Sequence, residues 1–286
     1  MRKLFYVIFI VAGVYLFVTY MPLLFRAFVY DTFRIPTESM EPTLMPGDKV
    51  YVNKLILGPR MYKDLDSATS RRPELYRLKG FRDIRRNDIL VFNLPVPYRW
   101  DKIEYLINFV YCKRCIGLPG DTISAVEGFY RNSGTDKPVG HIPAQEELHK
   151  MHIDDWGDAK YIYPFDSTYN WTFRDFGPFY IPGKGDAMNI DDRNVKLYKL
   201  PIEYETQKKI TVRDGVVFLG DSVINRYTFT RNYYFAAGDN APNSSDSRYW
   251  GLLPEEHVVG VVTRVLYSRK GSGKKWDWSR FMLPLK

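Results

Sequence analysis

Lys113-Arg114-Cys115-Ile116-Gly117-Leu118-Pro119-Gly120-Asp121 ends a strand-rich run, residues 104–116, in a turn written in glycine and proline. Short apolar strands on either side of this stretch set the fold class. Upstream, Lys49-Val50-Tyr51-Val52-Asn53-Lys54 alternates in character after the Pro46-Gly47-Asp48 turn, and residues 88–94 form a short strand stopped by Pro95 and Pro97. Downstream, Lys160-Tyr161-Ile162-Tyr163 and Gly215-Val216-Val217-Phe218-Leu219 are further short apolar runs. Residues 256–266, carrying Val258, Val259, Val261, Val262 and Val265, make a last strong strand. One short helix is expected around residues 144–152, and the polar, basic stretch 60–86 reads as an exposed loop or an ordered insertion. The chain is therefore expected to be mainly β, with a large insertion inside a smaller core.

Composition agrees with that class. The 286 residues are 45% hydrophobic, enough to bury a substantial core, and 22 Tyr and 18 Phe favour strands over a helical bundle. A net charge of +8 suits nucleic acid, an anionic membrane surface or plain solubility. No zinc finger, basic-region helix or RNA-binding signature accompanies it, so no nucleic-acid partner is expected.

The amino-terminal segment tips the choice toward a membrane. Residues 4–25 carry no charge, and as a helix rising about 1.5 Å per residue they span roughly 33 Å, enough for a bilayer core. Arg2 and Lys3 precede the run, which favours a cytoplasmic N-terminus with the rest of the chain outside. A cleavable leader would have a shorter apolar region and small residues at its end. Tyr20-Met21-Pro22-Leu23-Leu24-Phe25-Arg26 offers no such site, so an uncleaved, single-pass anchor over residues 1–26 is the reading. Residues 27–36 are expected to be extended.

Cys112 and Cys115 are the only cysteines. Their spacing on a strand points them to opposite faces, so two unbridged thiols are expected. No metal is expected: His149 and His152, beside Asp154 and Asp155, share a helix face but read as exposed polar-helix residues, and His257 reads as a surface residue entering a strand.

Ser39 stands between Pro36-Thr37-Glu38 and Met40-Glu41-Pro42-Thr43-Leu44, stiffened by a proline on each side. A serine hydroxyl attacks an amide poorly unless a base removes its proton. Lysine serves as that base only when neutral, which burial in apolar surroundings achieves by penalising the charged form. Val110, Tyr111, Cys112, Ile116 and Leu118 could provide such a setting around Lys113, with Arg114 solvated on the opposite face. On local composition alone, Lys113 is an ordinary edge-strand lysine.

Four segments in order change that reading. Residues 36–44, Asn87-Asp88-Ile89-Leu90-Val91-Phe92, residues 113–121 and Gly238-Asp239-Asn240-Ala241-Pro242-Asn243-Ser244-Ser245-Asp246-Ser247-Arg248-Tyr249-Trp250-Gly251 resemble the boxes of type I signal peptidases, following a membrane span. The resemblance covers residues 1–121 and 229–268. It implies an antiparallel, β-barrel-like catalytic core (residues 27–126 and 231–270), a β-rich cap insertion (127–230) and a basic aromatic tail (271–286).

The resemblance also implies a serine endopeptidase that removes signal peptides from exported precursors after small-x-small motifs, without a cofactor. Ser39 would be the nucleophile and Lys113 the general base. Thr37 and the Ser39 N–H would hold the oxyanion, Ser244 would orient the lysine, and Asp246 and Arg248 would support the site. The signal peptide would add a strand between Arg34-Ile35-Pro36 and Val110-Tyr111-Cys112, with Ile35, Pro36, Leu44, Tyr111 and Cys112 lining its pockets. The location implied is the cytoplasmic membrane with the catalytic domain on its outer face, as a monomer against the lipid bilayer. Ala241-Pro242 departs from a basic–acidic dipeptide common in that family. Two rivals are a Ser–Lys self-cleaving repressor, which the anchor opposes, and an anchored β-rich binding protein that has lost activity.

Overall fold

The computed structural model of the protein describes residues 2–64, 66, 70–270 and 275–285. It opens with helix α1 (Arg2–Phe28). Within it, residues 10–28 are long and apolar enough to cross a membrane, and the apolar window is not buried against the rest of the chain. The helix runs through Phe28, beyond the expected end at residue 26. Lys54 explains the extension: its Nζ donates to the carbonyls of Arg26 at 2.7 Å and Ala27 at 3.3 Å, acceptors that a helix C-terminus leaves without partners.

The chain then forms β1 (Tyr30–Arg34), β2 (Asp48–Asn53), a small hairpin of β3 (Arg60–Tyr62) and β4 (Leu75–Arg77), β5 (Ile89–Asn93) and β6 (Val110–Gly117). The insertion contributes β7 (Thr122–Val126), β8 (Phe129–Asn132), α2 (Ile142–Lys150), β9 (Phe176–Tyr180), β10 (Ala187–Asn189), α3 (Val195–Thr206), β11 (Ile210–Arg213), β12 (Val216–Leu219), β13 (Ser222–Val223) and β14 (Arg226–Thr228). The chain returns as β15 (Tyr233–Ala237), the short helix α4 (Ser247–Trp250), β16 (Leu253–Pro254), the long β17 (Val258–Lys270) and β18 (Lys275–Asp277).

The core is one antiparallel sheet in the order β1-β2-β17-β5-β6-β15-β16, with β18 added to β17. Its two faces are both covered, and β5 shows why every residue of that strand is buried. Side chains on a strand alternate between faces. Ile89 and Val91 enter a cluster with Ile35, Met40, Val50 and Val262, while Leu90 and Phe92 enter a larger one beneath the insertion. There Phe176 stacks on Phe235 at 5.8 Å and Phe92 meets Trp250 at 5.6 Å. Each such side chain contributes on the order of 2 kcal/mol through removal from water.

Sheet membership changes between Gly117 and Thr122, ahead of the expected boundary at residue 127, because β7 pairs with β8 and β9 instead of the core. Asp121 fixes this corner. It accepts from the Leu118 N–H, Asn132 Nδ2 and Arg86 Nε, each at 2.8 Å. Within the expected loop, β3 and β4 pair as a small hairpin, and Arg77 donates to the carbonyls of Gly58 and Val258 at 2.7 and 2.6 Å. In the tail, β18 pairs with β17 and Arg280 reaches buried Asp48 at 2.6 Å, so the chain end docks on the core sheet.

Candidate active site

Ser39 lies in a turn-rich segment between β1 and β2, where the Glu41 N–H donates to Glu38 at 2.9 Å and the Leu44 N–H to Met40 at 2.9 Å. Met40 and Leu44 are buried and hold the segment down on the core, leaving the Ser39 hydroxyl facing a cleft. Thr37 Oγ1 stands 3.5 Å from Ser39 Oγ, on the same side of the turn.

Lys113 comes from β6, 2% exposed, with its Nζ 2.5 Å from Ser39 Oγ. Its strand is held by β5 on one side, with Lys113 opposite Leu90. On the other side β15 pairs only with Arg114, Cys115 and Gly117, so residues 110–113 keep a free edge toward the cleft. β1, the terminal strand of the sheet, contributes the other free edge.

The third segment closes the back of the site. Gly238 needs to be glycine: a Cβ there would lie 2.4 Å from the Ser39 carbonyl oxygen and 2.1 Å from the Ser244 hydroxyl. The Asn240 N–H donates to the same Ser39 carbonyl at 3.2 Å. Asp246 accepts from the Gly238 N–H at 2.9 Å and, through both carboxylate oxygens, from Arg248 at 2.8 and 2.9 Å, with both side chains fully buried. Arg248 also donates to the Ala241 carbonyl at 2.7 Å, which fixes the short turn containing the unusual Ala241-Pro242.

Several expected placements are corrected. Arg114 is not solvated: it is buried, and its guanidinium meets both carboxylate oxygens of Asp239 at 2.7 and 2.6 Å. His257 is not a surface residue. It is fully buried between the rings of Tyr105 and Tyr204, with Nδ1 3.0 Å from the Asn93 carbonyl. Leu44 does not border the cleft but lies in the core beneath it. Ser244 is buried near Asp246, yet its hydroxyl makes no hydrogen bond to Lys113. Cys112 and Cys115 are both free thiols, as expected, Cys112 half-buried at the cleft and Cys115 in the core.

The electrostatics follow from this pairing. Burial pushes the Lys113 ammonium below its ordinary range; Asp246 and Asp239 pull the other way, while Arg248 reinforces the fall. Each of those two carboxylates is also held by an arginine, so its pull on the lysine is partly offset and burial prevails. Burial opposes ionisation of Asp246, but Arg248 and the Gly238 N–H bring its carboxyl below the usual value. The neighbouring Cys112 thiol is pushed up to about 12 by burial and stays protonated.

The cleft holds about 950 Å³. Ile35, Pro36, Tyr111 and Cys112 line it as expected. The sequence reading missed Met40 from the turn that carries Ser39, Val91 from β5, Ile107 and Asn108 from the loop before β6, and Asn243 and Ser245 from the third segment. Val91 carried a usable signal, since its strand box had been recognised; Ile107 and Asn108 carried none, because only folding brings their loop to Ser39.

A family model described as signal peptidase, peptidase S26, matches residues 2–267. The signal peptidase I of Buchnera aphidicola subsp. Baizongia pistaciae is 28% identical over 251 residues, covering 83% of this chain and 69% of the relative. That of Buchnera aphidicola subsp. Schizaphis graminum is 28% identical over 268 residues, covering 88% and 72%. That of Pseudomonas aeruginosa is 25% identical over 265 residues, covering 88% and 69%.

Proposed function

Because the chain belongs to the signal peptidase family, a family of serine proteases that remove signal peptides from exported proteins, we propose that it does so through a Ser39–Lys113 dyad. The observation that carries this reading is the 2.5 Å approach of Lys113 Nζ to Ser39 Oγ, with the lysine 2% exposed. Neutral Lys113 takes the proton of the Ser39 hydroxyl as Oγ attacks the scissile carbonyl carbon. The Ser39 N–H and the Thr37 hydroxyl donate to the oxyanion that develops. As the C–N bond breaks, the Lys113 ammonium returns the proton to the leaving amine, the new N-terminus of the mature protein. Water then loses a proton to Lys113 and hydrolyses the ester on Ser39.

The substrate lies extended between the free edges of β1 and β6, where backbone pairing supplies affinity and side-chain pockets supply selection. Ile35 and the small, half-buried Cys112 leave room for small residues near the cut, which favours small-x-small sites. Gly238, the Asp246–Arg248 pair and the Arg114–Asp239 pair hold the base and nucleophile in register, with Ser244 packed behind them.

The enzyme works as a monomer at the membrane. α1 crosses the bilayer with its N-terminus in the cytoplasm, and the β domain rests on the outer face. Exposed Trp276 and Trp278 and the cationic tail suit contact with anionic lipid. The test is incubation of the detergent-solubilised chain with a preprotein, with and without Ser39→Ala. Mature product from the wild type alone supports the dyad, and processing by the variant would overturn it.

A further inference from the structure

A pocket of about 420 Å³ opens in the insertion and shares no residue with the catalytic cleft. Its size lies within the range of small-molecule sites, about 300–1,000 Å³. Rings form part of its wall. Phe165 stands at φ +57°, a backbone region that disfavours a bulky side chain. Its ring is 54% exposed and meets Trp100 edge-on at 6.0 Å. Tyr161 offers less, because Lys160 already lies over its ring at 5.6 Å. Ile162 and Trp171, both buried, complete the apolar part. Of the polar groups, Asp166 is committed, since its carboxylate accepts from Lys196 Nζ and the Thr168 N–H, both at 2.9 Å. The others are free. The Trp171 indole N–H, the Asn170 amide, the Ser167 hydroxyl and the Asp158 carboxylate have no side-chain hydrogen bond among the described residues. Trp171 weighs most, because it is only 8% exposed and a buried donor without a partner is costly. A partner for it has to come from the pocket.

We propose that this pocket binds an uncharged saccharide unit, with the Phe165 ring against the C–H face of a sugar and the free polar groups against its hydroxyls. Hydrogen-bonding chemistry selects that class. The Trp171 N–H only donates, the Asp158 carboxylate only accepts, and Ser167 and Asn170 do both. A matching ligand has to accept and donate from one compact body, as a ring of hydroxyl groups does. An ammonium ion only donates and leaves Trp171 unmatched. A phosphate or carboxylate has to sit against Asp158 with no free cation to balance it: Lys160 is paired with Asp154 and Lys196 with Asp166. A wholly apolar ligand would strip water from four polar groups and return no hydrogen bond. A sugar meets both halves of the wall, packing its C–H face on an aromatic ring while its rim keeps the hydroxyls for the polar side. Trp100, 52% exposed beside Phe165, continues the aromatic surface past the pocket's edge, so a second sugar ring has a platform to follow. The site is independent of the peptidase reading.

The test titrates cellobiose, lactose and N,N′-diacetylchitobiose into the full-length chain, held in micelles of a detergent without a sugar head group. Saturation-transfer NMR and tryptophan fluorescence report binding. At least one disaccharide is expected to bind with a Kd of about 1 mM or lower. Phe165→Ala and Asp158→Asn are each expected to raise that Kd about tenfold, and Phe165→Tyr, which keeps the platform, to hold it within about twofold. Both positions are exposed, so the variants are expected to keep the wild-type unfolding midpoint. Co-sedimentation with insoluble cellulose and chitin separates the sources. Retention assigns the pocket to a polymeric glycan, and disaccharide binding without retention assigns it to a free sugar; either upholds the proposal. It is overturned if no disaccharide binds, if both substitutions leave the Kd unchanged, or if choline or inorganic phosphate binds more tightly than every sugar.

Discussion

The guanidinium of Arg114 clasps the carboxylate of Asp239, Nε to Oδ1 at 2.7 Å and Nη2 to Oδ2 at 2.6 Å, tying the strand that carries Lys113 to the segment behind Ser39. Arg114 is the residue next to Lys113, and Asp239 directly follows Gly238. The pair therefore joins two parts of the site and sets a guanidinium against a buried carboxylate that favours a charged Lys113.

Arg114→Met should act on both counts. Leaving Asp239 buried without its partner costs about 3–5 kcal/mol, read as a lower midpoint in chemical denaturation. In the protein that remains folded, the freed carboxylate raises the Lys113 pKa, so the acid limb of the kcat/KM profile moves to higher pH. A destabilised variant with an unmoved limb would limit the pair to a structural part.

Gly238→Ala adds one methyl group, 2.1 Å from the Ser244 hydroxyl and 2.4 Å from the Ser39 carbonyl. Relief requires the turn that carries Ser39 to shift, and, on the proposed role of Ser39, a displacement of about 1 Å costs on the order of a hundredfold in rate. Steady-state cleavage should show that loss in kcat, with a stability loss of only about 1–3 kcal/mol.

Lys113→Arg preserves charge and approximate length but cannot supply a neutral base, since a guanidinium stays protonated. Its cleavage rate should fall by about 10³-fold or more, and product formation near the wild-type rate would refute a lysine base.

For the wild type, kcat/KM should rise with pH as Lys113 loses its proton, with a midpoint below the ordinary lysine value of 10.5. The sign for stability agrees. The unfolded chain binds this proton up to its ordinary pKa and the folded chain releases it earlier, so stability from this group increases with pH between the two values. A profile whose acid limb tracks an unperturbed lysine would contradict burial of the base.

His257 acts in the same direction at acid pH. Burial lowers its pKa from 6.5 to about 3, so the unfolded chain takes up a proton that the folded chain refuses. Stability is lost as pH falls through that window, by up to about 1.4 kcal/mol per pH unit. His257→Gln, which keeps a donor for the Asn93 carbonyl, should flatten the dependence of unfolding free energy on pH between 6.5 and 4 in micelles.

The strands around Lys113, the apolar helix and the order of the four boxes were legible because each is written in local pattern: alternation, a long uncharged run, or turn residues at fixed spacing. The helix end at Phe28 needed Lys54, which lies in the next hairpin, and β7 left the core for a sheet completed by β9, more than fifty residues later. Arg114, His257 and Leu44 were misplaced for one shared reason. How deeply a side chain is buried is decided by what the distant chain lays over it, and no local pattern records that.

By itself the sequence determined the fold class, the family and which serine and lysine to watch. Tertiary structure decided whether that lysine has the environment a base requires. It brought Lys113 to 2.5 Å from Ser39, removed it from water and engaged both nearby carboxylates with arginines. It also opened the cleft in front of Ser39. Proton affinity and cavity shape arise from groups far apart in the chain, so they exist only once those groups have been packed together.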